Sequence, residues 1–328
     1  MLVLSRSEVE ELLDLDALVD ALGPAMADLS AGRASVPDRI GARVAEHDGL
    51  LAVMPGYVPS SGVLLAKLVS LFPRNAGTAL PTHQAVIVTF DPETGEPVAM
   101  LDGTAITAAR TGACSALSTR LLARQDATVL AILGTGVQAR SHAMAMCRVR
   151  PIRLVRIAGR DPDAAATLAA ELSGRLGAEV QAVPSYRDAI DGADIVSACT
   201  HADEPVVRRE WLSAGVHVTS VGYNGAGREV DDATVADALV CVESRRAALA
   251  PFPAGTEDLL GPIRRGVITA EHVHAELGEL VAGTRPGRTA ADQITLYKSV
   301  GVAVQDAAAA AIVIAAARHA GVGQHLPL

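Results

Sequence analysis

The chain has 328 residues, half of them apolar and 20% charged, which is enough for roughly two domains with a sizeable core and excludes a disordered or fibrous protein. An aromatic content of only 2% leaves almost nothing from which to build stacking platforms for single-stranded nucleic acid, and a formal net charge of −9 points the same way, away from nucleic acid and from an anionic membrane surface. Mean hydropathy is +0.29, yet the most apolar stretch, residues 307–317, is eleven residues of mostly alanine, short of the ~20 that span a bilayer.

In chain order, an S-x-x-E pattern from Ser7, followed by Val9, Leu12, Leu13, Leu18, Val19 and Leu22 at helical spacing, predicts a capping box and an amphipathic helix that Gly23-Pro24 bends or ends. No leader with a basic start, an apolar stretch and a small-residue cleavage site can be laid out there, so a cytoplasmic protein is expected. Short β-like runs follow at 50–54, 63–70, 85–90 and 97–101, with DPETGE at 91–96 as a hairpin turn: a helix, then an antiparallel sheet. Residues 104–124 have high helix propensity. From Ala127 onward strand-like segments (ATVLAIL, IRLVRIA, EVQAV, ADIVSAC, VHVTSV, ALVCVE) alternate with helix-like ones, including a helix through Met144 and one over 164–176, which predicts a parallel sheet covered by helices on both faces. An Ala-rich helix over 302–320 returns towards the first domain.

Gly134-x-Gly136-x-x-Ala139 stands directly after an apolar strand and opens a helix. Gly134 permits the tight turn, Gly136 lets the backbone approach a pyrophosphate, and Ala139 lets the helix pack closely, so the loop Gly134, Thr135, Gly136, Val137, Gln138 is predicted to bind a dinucleotide. The tip of the next strand reads Ala158-Gly159-Arg160-Asp161. Arg160 suits a 2′-phosphate and favours NADP(H); NAD(H) stays open because Asp161 could hold ribose hydroxyls, or simply begin the following helix with Pro162.

Three cations of the first domain attract attention. Strand alternation puts Lys67 on one face with Val63, Leu65 and Val69, where a lysine needs an anion or a shifted pKa. Arg110 sits among Ala, Gly, Thr and Ser that let a ligand approach, and Arg43 lies in IGARVAEHDG; each is a candidate anion holder, or else a surface or ion-paired residue. The nine histidines, His272 and His274 included, form no metal spacing, so no metal is expected. Cys114, Cys147, Cys199 and Cys241 are widely separated in apolar or small-residue settings and read as reduced core thiols.

Several blocks in order resemble the ornithine cyclodeaminase and mu-crystallin family: MPGY at 54–57, AKLVSLFPRN at 66–75, the DG and TAARTGA segments within 102–113, GTGVQA, VGYNGAGREVDD at 221–232 and YKSVGVAVQD at 297–306. The resemblance implies an α/β protein: a Rossmann domain over 121–303, and a substrate-binding and dimerisation domain built from both chain ends, 1–120 with 304–328, that pairs with its partner through β-sheets as a homodimer. It implies a substrate carboxylate held at Arg43, Lys67 and Arg110, and a cofactor touched by Thr82, Arg110, the glycine loop, Thr200, Arg228, Ser299 and Val300.

Two departures bear on the activity. Ornithine cyclodeaminases carry a glutamate shortly before the MP pair and a proton-shuttling aspartate in the glycine turn, where this chain has Ala52 and Asn224. Asn orients by hydrogen bonds but does not shuttle a proton at ordinary pH. The resemblance therefore implies an NAD(P)H-dependent reductase of a small ketimine acid, of the Δ1-pyrroline-2-carboxylate kind, with Lys67 supplying a proton or polarising the substrate and Asn224 orienting its nitrogen. An ornithine cyclodeaminase or an alanine dehydrogenase is the alternative within the family, and an NADPH-dependent small-ligand binding protein the alternative of another class.

Overall fold

A computed structural model describes residues 1–222, 227–251 and 254–327. The chain divides into two compact units, Met1–Arg110 with Val302–Leu328, and Thr111–Gly301. In the first unit, β1 (Leu2–Leu4), β2 (Ile40–Val44), β3 (Gly49–Val58), β4 (Val63–Leu71), β5 (His83–Phe90), β6 (Pro97–Asp102) and the terminal strand Gln324–His325 form one sheet. Its order is terminal strand, β1, β6, β5, β4, β3, β2. Strands β2 to β6 make an antiparallel meander, and β1 joins β6 in parallel. The β5–β6 turn is DPETGE, where the Asp91 carboxylate accepts from the backbone of Glu93 and Thr94, and Gly95 takes φ +76.

Alternation along β3, β4 and β5 sends Met54, Val58, Val63, Leu65, Lys67, Val69, Ala85 and Ile87 to a buried face. The helices Leu15–Ser30 and Ala303–Ala320 pack against strands of this sheet. Small residues allow close approach: a Cβ on Gly56 would stand 3.1 Å from that of Ala303.

The N-terminal helix differs from the sequence expectation. The capping box is Ser5 with Glu8, two residues before the expected Ser7, and the helix Arg6–Leu12 stops at Leu13. Asp14 then caps a second helix, accepting from the backbone of Asp16 and Ala17. Pro24 does not end that helix: it sits within it on the exposed side, where the backbone carbonyl left without a donor can meet water.

The second unit holds β7 (Val129–Leu133), β8 (Leu154–Ala158), β9 (Glu179–Ala182), β10 (Ile195–Ala198), β11 (His217–Ser220), β12 (Leu239–Val242), β13 (Val273–Glu276) and β14 (Thr295–Lys298). They form a parallel sheet ordered β13, β12, β14, β11, β10, β7, β8, β9. Apolar runs such as Leu130–Leu133 and Ile195–Ala198 are buried, as the central strands of a sheet covered on both faces must be. The sequence runs outward through β8 and β9 on one side of β7 and through β10 and β11 on the other. The order therefore reverses at β7 and opens a crevice at the carboxyl ends of β7 and β10, the Rossmann arrangement. Cys114, Cys199 and Cys241 are buried, Cys147 is half-buried, and none forms a disulfide. Among the described residues no helix is long and apolar enough to cross a membrane.

Candidate active site

The first unit buries a cluster of charge. Lys67 on β4 is 1% exposed, and its Nζ donates to Thr107 Oγ1 at 2.6 Å and Asp306 Oδ1 at 3.0 Å. Arg110, near the start of the helix Gly103–Leu122, donates from Nε to the same Asp306 oxygen at 3.2 Å and from its terminal nitrogen to Gln305 Oε1. One carboxylate thus bridges two buried cations. Burial pulls the Lys67 pKa down to about 8; Asp306 opposes this, while repulsion from Arg110 and Arg39 adds to it. Burial disfavours the Asp306 charge too, but Lys67 and Arg110 outweigh it and hold the carboxyl below the usual carboxylate range. His83 on β5, half-buried, is driven to about 4 by burial and then by Lys67 and Arg110, so it is neutral near pH 7. Buried ion pairs rarely repay their desolvation, and this one leaves a net positive patch suited to a carboxylate.

Arg43 lies in the cross-strand row of Leu50, Leu71 and His83. Ile40 pairs with Val53, and Met54 pairs with Lys67, so Arg39, one residue before Ile40, falls in the Lys67 row. Arg43 pairs with Leu50, four residues along exposed β2, about 13 Å at the strand rise. Arg39, like Arg110, acts on Lys67 by its charge. Thr82 is exposed just before β5, its carbonyl accepting from Phe72 N.

In the second unit the glycine loop leaves β7 and opens the helix Val137–Val149. Gly134 has φ +116, and a Cβ there would stand 2.6 Å from Cys199 O at the end of β10; only glycine fits. Gly136 caps the helix without a side-chain hydrogen bond, and a Cβ there meets nothing within 4 Å. Val137 is 58% exposed, and Gln138 Oε1 is buried without a donor among the described residues. Uncapped helix N–H groups, open space above Gly136 and an exposed valine fit a dinucleotide pyrophosphate. Arg160 is exposed beyond β8, whereas the Asp161 side chain caps the next helix, accepting from Asp163 N and Ala164 N.

Buried carboxylates hold the other expected cofactor positions. Glu229 accepts from Thr200 N, Thr200 Oγ1, Ser220 Oγ and Gly222 N at 2.6 to 2.8 Å. Glu243 accepts from Ser299 Oγ, Val300 N and Gly301 N. Asp258 receives Glu229 N, Val230 N and the fully buried Lys298 Nζ, which also donates to Ser220 Oγ and Gly222 O. Arg228 pairs with Asp232. Asn224 lies outside the described residues.

Residues 1–321 match the model of the ornithine cyclodeaminase/mu-crystallin family. The chain belongs to that family. Ketimine reductase mu-crystallin of Mus musculus is 36% identical over 315 residues, 94% of this chain and 95% of that protein. Among solved structures, the Δ1-pyrroline-2-carboxylate reductase of Thermococcus litoralis, in complex with NADH and L-proline, is 40% identical with a TM-score of 0.95, covering 99% of this chain and 100% of that one. An archaeal alanine dehydrogenase dimer with bound NAD is 31% identical with a TM-score of 0.92, covering 100% and 99%.

Sequence reading alone gave no role to Arg39, His83, Asp306, Glu229, Glu243, Asp258 or Lys298. One signal was available. The chain has only two lysines, Lys67 and Lys298, against 26 arginines, and both are fully buried. Where every other cation is arginine, a lysine marks a place where the guanidinium does not fit or its permanent charge does not serve.

Proposed function

We propose that the protein is a cytoplasmic, homodimeric NAD(P)H-dependent ketimine reductase, converting a small cyclic α-imino acid of the Δ1-pyrroline-2-carboxylate kind to the α-amino acid. The observation that carries this reading is the buried Lys67, held by Thr107 and Asp306 in a patch with Arg110 and Arg39. The full-length likeness to reductases of such imines supports it. Arg110 and Arg39 take the substrate carboxylate and fix the imine, since a fork of donors suits a carboxylate. Lys67, with its pKa lowered to about 8, stays mostly protonated near neutrality yet gives up its proton readily, and it protonates the imine nitrogen. A nicotinamide cofactor, when bound, supplies the hydride to the imine carbon. Gly134, Thr135, Gly136, Val137 and Gln138 hold its pyrophosphate, Thr200, Arg228, Ser299 and Val300 line the rest of its site, and Arg160 makes NADP(H) the preferred form. Asn224 orients the substrate nitrogen.

The outward face of the first unit's sheet supports a dimer: Ile40, Val53, Leu68 and Val86 form one cross-strand apolar row, and all but Val53 are exposed.

The test is oxidation of NADPH and NADH with Δ1-pyrroline-2-carboxylate, Δ1-piperideine-2-carboxylate, and pyruvate plus ammonia, alongside ornithine with NAD⁺ assayed for ammonia. Turnover of a cyclic imine that falls about 100-fold or more in Lys67→Ala is expected, the usual range for losing a positioned acid. Ammonia release from ornithine as the only activity would overturn the reading.

A further inference from the structure

Asp306 closes the YKSVGVAVQD block and holds Lys67, yet the proposed reaction assigns it no part in the proton transfer. It lies in the first turn of the helix Ala303–Ala320, an acid within a run of alanines, and its side chain is 0% exposed. Carboxylates near a helix N-terminus are stabilised by the helix dipole, so the position favours the charged form. Its Oδ1 accepts from Lys67 Nζ and from Arg110 Nε, while Oδ2 is buried with no donor among the described residues. The carboxylate therefore does not knit the helix to the sheet through backbone groups. Everything it holds is a cation of the site.

We propose that Asp306 is a positioning residue for proton delivery: it keeps the Lys67 ammonium charged and aligned, so that Lys67, and not solvent, protonates the imine nitrogen. The inference rests on the ketimine reductase reading. In the step, hydride from the reduced nicotinamide forms the new C–H bond, the proton of Lys67 forms the new N–H bond, and the C=N π bond is lost. The nicotinamide is oxidised by two electrons, and the neutral Lys67 amine is reprotonated from water. Charged and titratable groups face Lys67 from four sides: Arg110 from the helix Gly103–Leu122, Asp306 from the helix Ala303–Ala320, Arg39 from the segment before β2, and neutral His83 from β5. Asp306 is the one acid among them, so without it burial and two arginines act on the ammonium unopposed.

The presence of only two lysines makes the test direct, because protein labelled with 13C-lysine gives two Cε signals, which Lys67→Arg assigns. In the wild type, the alkaline fall of kcat/KM for imine reduction is expected to coincide with the titration of Lys67; a fall elsewhere in pH overturns the proposal without any variant. In Asp306→Asn, the Lys67 titration is expected to move down by one pH unit or more and the alkaline limb with it. Activity should return towards the wild-type level at pH 6, and the Lys298 signal should stay put. Asp306→Glu should restore both titration and limb towards the wild type. A Lys67 titration unmoved in Asp306→Asn, with activity lost equally at every pH, makes Asp306 a merely structural residue and overturns the proposal. Absence of imine turnover by the wild type sinks the reductase reading instead, a different result.

Discussion

Arg160 and Asp161 stand side by side beyond β8 and do different work. Asp161 spends its carboxylate on two backbone N–H groups of the helix that begins at Pro162, which leaves the exposed guanidinium of Arg160 as the group proposed to meet a 2′-phosphate. An arginine bonding a 2′-phosphate is a charged hydrogen-bond pair worth ~1.5–3 kcal/mol. Arg160→Ala should therefore weaken NADPH binding about 10- to 100-fold while NADH changes less than about twofold, measured by fluorescence titration. An unchanged NADPH to NADH ratio would remove Arg160 from the site. At this scale the sequence was legible where one local rule decides, as for Lys67 on a buried face. It was not where the register decides. Arg39 and Arg43 are four apart, one just before β2 and one within it, so composition and alternation treat them alike. Only the position of the turn after β2, with Asp48 at φ +51, sets which of them shares a row with Lys67.

Among the elements, the strand–turn–helix around the glycine loop was fully legible, since its residues are dictated by backbone clearance that sequence spacing records. The N-terminal helix was not, because Ser5–Glu8 and Ser7–Glu10 both satisfy the capping pattern, and only the fold selects the first. The two glycines of the loop make separable demands. Gly134→Ala puts a Cβ against Cys199 O at a positive φ, and should lower the thermal midpoint of the cofactor-free protein by several degrees. Gly136→Ala meets nothing, so the cofactor-free midpoint should move by less than about 2 °C, a modest N-cap change. Its loss appears only on adding cofactor. Ligand at 100 times Kd stabilises by about 2.7 kcal/mol, and most of that shift should vanish in Gly136→Ala as measured by differential scanning fluorimetry. A Gly136→Ala protein with the full cofactor shift would mean that the pyrophosphate lies elsewhere.

At the scale of the whole molecule, an antiparallel sheet with helices on one face is expected to be polar on the other. Here the outward row Ile40–Val53–Leu68–Val86 is entirely apolar, and Ile40 is 69% exposed. Each chain carries a net charge of −9, so two copies repel, and association must come from apolar burial rather than from charge. Leu68 is the central position, on β4 between β3 and β5, with apolar partners on both sides. A buried, unpaired carboxylate there would oppose pairing strongly, while the cation cluster lies on the opposite face of the same strand and the glycine loop lies in the second unit. Light scattering should give the wild type twice 33.7 kDa and Leu68→Glu a single chain. The variant should keep whatever thermal shift NADPH produces in the wild type, because Leu68 is not among the residues proposed to hold the cofactor. A Leu68→Glu protein that stays dimeric would place the contact on a different surface and leave the outward row without a role.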